Sequence, residues 1–176
     1  MKFRLLMAVT LLLGACMVMS VREAGAAATI TPEKIARIRS HCVENQAALN
    51  RLHQTDAFLR NDRGNLYRTI SDKLMVPLNR RLASNQLDGG ALLTITADYN
   101  EAYTKFYDQY IQYDNALSKV LEINCTREPV AFYNALLIAR EKRNELSKTN
   151  QTIKDLVRQY GATFTDFKAA YDKEHS

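Results

Sequence analysis

The residues of this 176-residue chain best equipped for chemistry are its three cysteines, Cys16, Cys42 and Cys125. Their fate depends on compartment, because thiols in an exported chain oxidise to disulfides. Once Cys16 is removed with a targeting segment or lipidated, Cys42 and Cys125 are left, and two such cysteines most often make one bridge. Two buried free thiols are the alternative. Metal chemistry finds little support: His41 and His53 lie roughly 120° apart around an ideal helix, so they do not share a face. The chain has no Gly-rich phosphate loop, His-Glu-x-x-His, Cys-x-x-Cys, haem-attachment motif or Glu-x-x-His pair of the di-iron kind. No nucleophile sits in a recognisable strained turn. No catalytic residue, no metal ligand and no cofactor is therefore expected, and the chain reads as non-enzymatic.

The unusual allocation is tyrosine. Tyr99, Tyr103, Tyr107, Tyr110 and Tyr113 place five phenols along one segment, with Phe106 among them. Tyrosine buries a broad apolar body and keeps a polar tip, so the row serves either as a half-exposed core seam or as an interaction surface for a protein or glycan. Nucleic acid is not expected as a partner, since these aromatics lie on an acidic stretch rather than among Arg and Lys. Two sequons, Asn124-Cys125-Thr126 and Asn150-Gln151-Thr152, could carry glycans in a eukaryotic secretory pathway. In a bacterium both read as accidental.

The element that must position these residues is a long helix from Leu92 to Cys125. Tyr99, Tyr103, Phe106, Tyr110, Tyr113, Leu117 and Val120 recur along it at steps of four and three. With few glycines and only Pro32, Pro77 and Pro129 to interrupt it, the chain lacks the turn residues of an all-β fold and reads as all-α.

Thr31-Pro32-Glu33 is a helix start: a hydroxyl cap, a first-position proline and a first-turn carboxylate. Ile35, Ile38, Cys42, Leu49 and Leu52 then mark an inward stripe, interrupted by Asn45 and Asp56. Asn61-Asp62-Arg63-Gly64-Asn65 favours a turn, after which Leu66, Ile70, Leu74 and Leu78 resume a stripe that Pro77 should kink. Asn85 to Gly90 reads as a reversal. Thr126 to Pro129 supplies the next cap and start, and an apolar repeat with Arg143 and Asn150 as polar layers runs from Phe132 to Tyr171. Gly161 is expected to loosen that arm.

The bridge and the reversal constrain each other. With the apex at residue 88, two unbroken helices would misalign Cys42 and Cys125 by about 13 Å, whereas a disulfide needs Cα atoms within about 7 Å. Either the first arm breaks near Asn61 to Asn65, which composition favours, or the aromatic helix ends early and reaches Cys125 in extended chain. Counting from the bridge, Arg143 arrives beside Asp56.

Residues 1–28 read as a targeting segment. Lys2 and Arg4 precede a continuous stretch of apolar or small residues from Leu5 to Val21, and Ala24-Gly25-Ala26 and Ala26-Ala27-Ala28 offer small-x-small cleavage sites. Cleavage is the leading reading. Lipidation at Cys16, in Leu13-Gly14-Ala15-Cys16, and retention as an uncleaved anchor are the alternatives, and membrane contact is expected only through this segment. Its loss takes three cations and Glu23 away, lowering the net charge from +5 to +3. That weakens any case for nucleic acid. The remaining charge divides by arm, basic, acidic, then mildly basic, and a basic arm beside an acidic antiparallel one gains in choice of partner.

The stretch Ile30-Thr31-Pro32-Glu33-Lys34-Ile35, the segment Asn45-Gln46-Ala47-Ala48-Leu49-Asn50-Arg51-Leu52 and the corner Ile123-Asn124-Cys125-Thr126 resemble uncharacterised exported all-helical proteins of small-genome candidate-phylum bacteria. The resemblance implies a bacterial envelope protein and brings no activity with it. Residues 29–176 are thus expected to form a single-domain elongated antiparallel helical bundle or coiled coil. It would have three long arms, the first broken into two helices, and one disulfide. The function expected is that of a secreted or cell-envelope spacer, adaptor or protein-binding module, acting with a protein partner or by self-association through helix faces. A small-molecule-binding periplasmic-type bundle, with its pocket near the break or the Pro77 kink, is the alternative.

Overall fold

The computed structural model describes residues 30–176, and the cleavage sites, the apolar stretch and Cys16 lie outside them. The described chain is all-α: α1 (Pro32–Ser40), α2 (Cys42–Thr69), a π-helical segment (Ile70–Met75), α3 (Val76–Ser84), α4 (Gly90–Glu122) and α5 (Pro129–Glu174). No strand occurs among the described residues.

Thr31 starts α1 as its composition predicts, its hydroxyl accepting from the Lys34 N–H at 3.3 Å ahead of Pro32. The chain breaks at His41 (φ −113°, ψ 24°), where the Ser40 hydroxyl donates to the Arg37 carbonyl at 3.1 Å. No break occurs at Asn61 to Asn65. Helix α2 runs through them, because Gly64 is buried under Tyr107 rather than placed in a turn. A methyl group on Gly64 would stand 2.5 Å from the Tyr107 hydroxyl, so glycine serves close approach here.

Nor do Leu66 and Leu74 point inward; they are 55% and 61% exposed, and Tyr67, Ser71 and Met75 are buried instead. Tyr67 continues the inward stripe that an unbroken α2 carries from Cys42 through Gly64, and the π segment then sets the next steps. Its i→i+5 bonds hold more residues per turn than an α-helix, so the inward face moves by fours to Ser71 and Met75. Pro77 sits directly after it, and the Val76 N–H bonds the Ser71 carbonyl across the widened turn. The proline thus falls where the regular i→i−4 ladder is already interrupted.

The reversal is a Schellman motif. The Leu87 N–H donates to the Leu82 carbonyl at 2.9 Å, the Gln86 N–H to Ala83 at 3.1 Å, and Gln86 takes the left-handed conformation (φ 56°) usual for glycine. Leu82 and Leu87 both join the core, making the motif's apolar contact. The corner before α5 is held by Asn124 rather than Thr126, its Oδ1 accepting from the Thr126 and Arg127 N–H groups at 3.1 and 3.0 Å.

Cys42 and Cys125 are bridged with Cα atoms 5.5 Å apart. The expected offset is taken up in part by the early end of α4 at Glu122, after which Ile123 is extended (φ −83°, ψ 128°). Extended residues advance about 3.3 Å each against 1.5 Å in a helix. Helix α4 is the shared support: α5 packs along it, α2, the π segment and α3 pack against it elsewhere, and α1 leans on α5. Tyr99, Phe106, Leu92, Leu117, Ile153 and Met75 fill the main core. Val120, Phe132 and Ala139 pack round the disulfide. Helix α5 runs through Gly161 without interruption, and that residue has open space beside it.

Candidate functional site

The five tyrosines do not act as one surface. Tyr99, Tyr110 and Tyr113 are buried, Tyr103 is half-buried, and Tyr107, at 36% exposed, is the one at the surface. Helical geometry explains the division: 99, 106, 110, 113, 117 and 120 share the stripe facing α2 and α5, and 107 falls beside it. Each buried phenol finds an acceptor. Tyr99 donates to the Tyr67 carbonyl at 2.8 Å, Tyr67 to Asn150 Oδ1 at 3.1 Å, and Tyr113 to Asp56 Oδ2 at 2.6 Å. Burial raises the pKa of Tyr99 and Tyr113, Asp56 adding to the rise at Tyr113. Tyr110 is pushed up to about 12, by burial first and the neighbouring Asp114 second.

Arg143 meets Asp56 as the register predicts, Nε to Oδ2 at 3.5 Å. Asp56 Oδ2 is therefore shared between a buried phenol and a half-exposed guanidinium. The histidines stay apart: His53 Nε2 is 2.9 Å from Asp114 Oδ1, and His41 Nδ1 lies 3.2 Å from the Arg37 carbonyl. Among the described residues no group of three or more His, Cys, Asp and Glu side chains is placed to hold a metal ion. Of the sequon asparagines, Asn124 caps its own turn and Asn150 bonds Tyr67.

What sequence reasoning missed is a groove. No Cα of α2 comes within 8 Å of a Cα of α5, although both helices pack on α4. Between them opens a cavity of about 350 Å³. Asp56, Leu59, Arg60 and Arg63 of α2 form one wall, Arg143, Asn144, Ser147 and Asn150 of α5 the other, and Phe106, Tyr110 and Tyr113 of α4 the floor. It continues past Arg63 and Ser147 toward Lys148, Gln151 and Lys154. The Arg60 guanidinium lies over the Tyr110 ring, 4.7 Å from its centroid. The ion pairs joining different helices among the described residues are His53 with Asp114 and Asp56 with Arg143. Neither joins an α2 arginine to an acidic residue of α4, so complementarity between those arms does not consume Arg60 and Arg63. The available signal was Arg60-x-x-Arg63, two cations on one helical face, one and two turns beyond the Asp56–Arg143 level.

Among the described residues no helix is long and apolar enough to cross a membrane. Comparison with protein-family models, with curated proteins and with solved structures found no match.

Proposed function

We propose that this is an exported, non-enzymatic protein of the cell envelope or extracellular space. It acts as a binding module or adaptor whose recognition element is the α2/α5 groove. In this reading residues 1–28 are the targeting segment. The mature chain is an elongated antiparallel bundle of three arms, α1 to α3 forming the first, α4 the second and α5 the third. The single observation that carries it is the wide spacing of the α2 and α5 backbones over a shared α4, which leaves polar and cationic side chains facing an open cavity beside the Asp56–Arg143 and Tyr67–Asn150 bridges. The bridge between Cys42 and Cys125 suits an oxidising compartment.

Site-specific photo-crosslinking in the producing cell tests it. A crosslinker at Ser147, inside the groove, should give a discrete protein adduct that the same group at Lys105, exposed on α4, does not. Equal labelling from both positions, or none from Ser147, contradicts the reading.

The second reading, a small-molecule carrier, is favoured by an apolar cavity of about 500 Å³ near the disulfide, lined by Ile38, Leu49, Leu117, Phe132 and Leu136 among others. That volume falls in the range of ligand pockets. A carrier should gain thermal stability with a hydrophobic ligand, as any ligand that binds only the folded state confers.

A further inference from the structure

We propose that the α2/α5 groove takes an extended, carboxylate-rich peptide segment of a partner protein, held by Arg60 and Arg63 and continued along α5 by Lys148 and Lys154. The proposal rests on the binding-module reading and adds the chemistry of what is bound.

Charge is the first ground. Arg60, Arg63, Lys148 and Lys154 form no ion pair among the described residues, and all four line the groove or its continuation. The one carboxylate there, Asp56, already accepts from Tyr113 and pairs with Arg143. The groove therefore carries a surplus of positive charge that its own residues leave unanswered.

Donor geometry is the second. Stacking on Tyr110 holds the Arg60 guanidinium in place, and its in-plane N–H groups match the two oxygens of a carboxylate. Asn150 accepts from Tyr67 through Oδ1, so its amide nitrogen remains as a donor, suited to a peptide carbonyl.

Shape is the third. From Arg143 to Lys154 the α5 wall runs about 16 Å, the length of about five extended residues. An open groove of that length suits a chain lying along it better than an enclosed small molecule. Stacked nucleobases and sugar rings are disfavoured: the floor rings of Phe106, Tyr110 and Tyr113 are buried, and the Arg60 guanidinium already lies over the face of Tyr110.

Selection from a displayed library of random short peptides, on disulfide-intact protein, tests this. The selected peptides should be enriched in Asp and Glu and should weaken with salt. Each arginine removed should cost roughly tenfold in affinity, as loss of a charge-assisted hydrogen bond does. Arg60→Gln with Arg63→Gln should therefore lose about a hundredfold, and Arg80→Gln, on another face, nothing. Lys148→Gln with Lys154→Gln, both exposed, supplies a second variant pair should the first perturb folding. Selected peptides without acidic enrichment, binding by both variant pairs as tight as by the unsubstituted protein, or binding of inorganic polyphosphate with no peptide selected would each overturn the proposal. A partner crosslinked at Ser147 through a segment poor in Asp and Glu would remove this inference and keep the binding module. Absence of any crosslinked partner removes the reading beneath it.

Discussion

Gly64 shows how one residue can be right in type and misleading in meaning. Its neighbours Asn61, Asp62 and Asn65 favour turns, yet the glycine is needed because the Tyr107 ring lies against the α2 backbone. Two effects compete on Gly64→Ala. Helix propensity favours alanine by about 1 kcal/mol. Against it, Tyr107 must swing away and lose its edge-on contacts with Tyr103 and Phe106, at 5.2 and 5.7 Å between ring centres, each worth about 0.5–1.5 kcal/mol. We expect Gly64→Ala to be destabilising or neutral in the native background and stabilising by about 1 kcal/mol once Tyr107→Ala is present. Urea unfolding of the four proteins in the cycle reads that change of sign.

Asp56 gives a second contrast at this scale. Its side chain is 13% exposed and bonds Tyr113 at 2.6 Å, whereas Arg143 is 53% exposed and stands 3.5 Å away. Tyr113→Phe should cost about 1.5–3 kcal/mol, the range for a hydrogen bond to a charged group. Arg143→Ala should cost less than about 1 kcal/mol, as exposed pairs do. A larger loss from the arginine would contradict this placement.

At the scale of elements, legibility depended on whether a signal was local. The Thr31 start, the reversal after Ser84 and the aromatic helix were readable because capping chemistry and the helical repeat act within a few residues, and the level of Asp56 with Arg143 was readable because the bridge fixes the register from which it is counted. The break at His41 carried no strong breaker. The unbroken run of α2 puts Tyr67 rather than Leu66 inside, and the π segment, whose extra residue per turn leaves no compositional mark, puts Met75 rather than Leu74 there. The groove was unreadable for a different reason: how far apart the backbones of α2 and α5 stand is decided by how each leans on α4.

The bridge also acts at this scale. It closes a sequence separation of 83 residues, for which the chain-entropy model gives about 4–5 kcal/mol. Helix α1 has no buried residue of its own and reaches α5 through Lys34, whose Nζ donates to the Tyr133 hydroxyl at 3.1 Å. Reduction should therefore cost several kcal/mol by this model and raise hydrogen exchange in α1 and the start of α2 well before the α3–α4 hairpin. Uniform loosening would contradict the assignment of the bridge to that end.

At the scale of the molecule, the phenols make stability depend on alkaline pH. Tyr103 and Tyr110 are both pushed up to about 12, chiefly by burial, against an ordinary tyrosine value near 10. A phenol whose pKa is raised on folding favours the folded state while it is neutral. That contribution is complete below about pH 10 and is lost as pH rises through about 12. Phenolate absorbance should accordingly include a steep component coincident with loss of helical circular dichroism. A smooth titration of all nine tyrosines near the ordinary value, with helix retained, would contradict the packed aromatic core.

Arginine footprinting tests most directly the proposal that this protein meets its partner in the channel between α2 and α5. Purified protein is modified with an arginine-selective reagent, alone and with the exported fraction of its own host, and each site is quantified by mass spectrometry. Protection of Arg60 and Arg63, with Arg37 and Arg80 unchanged, is the result predicted. Unprotected groove arginines, or equal protection at all four, would contradict it.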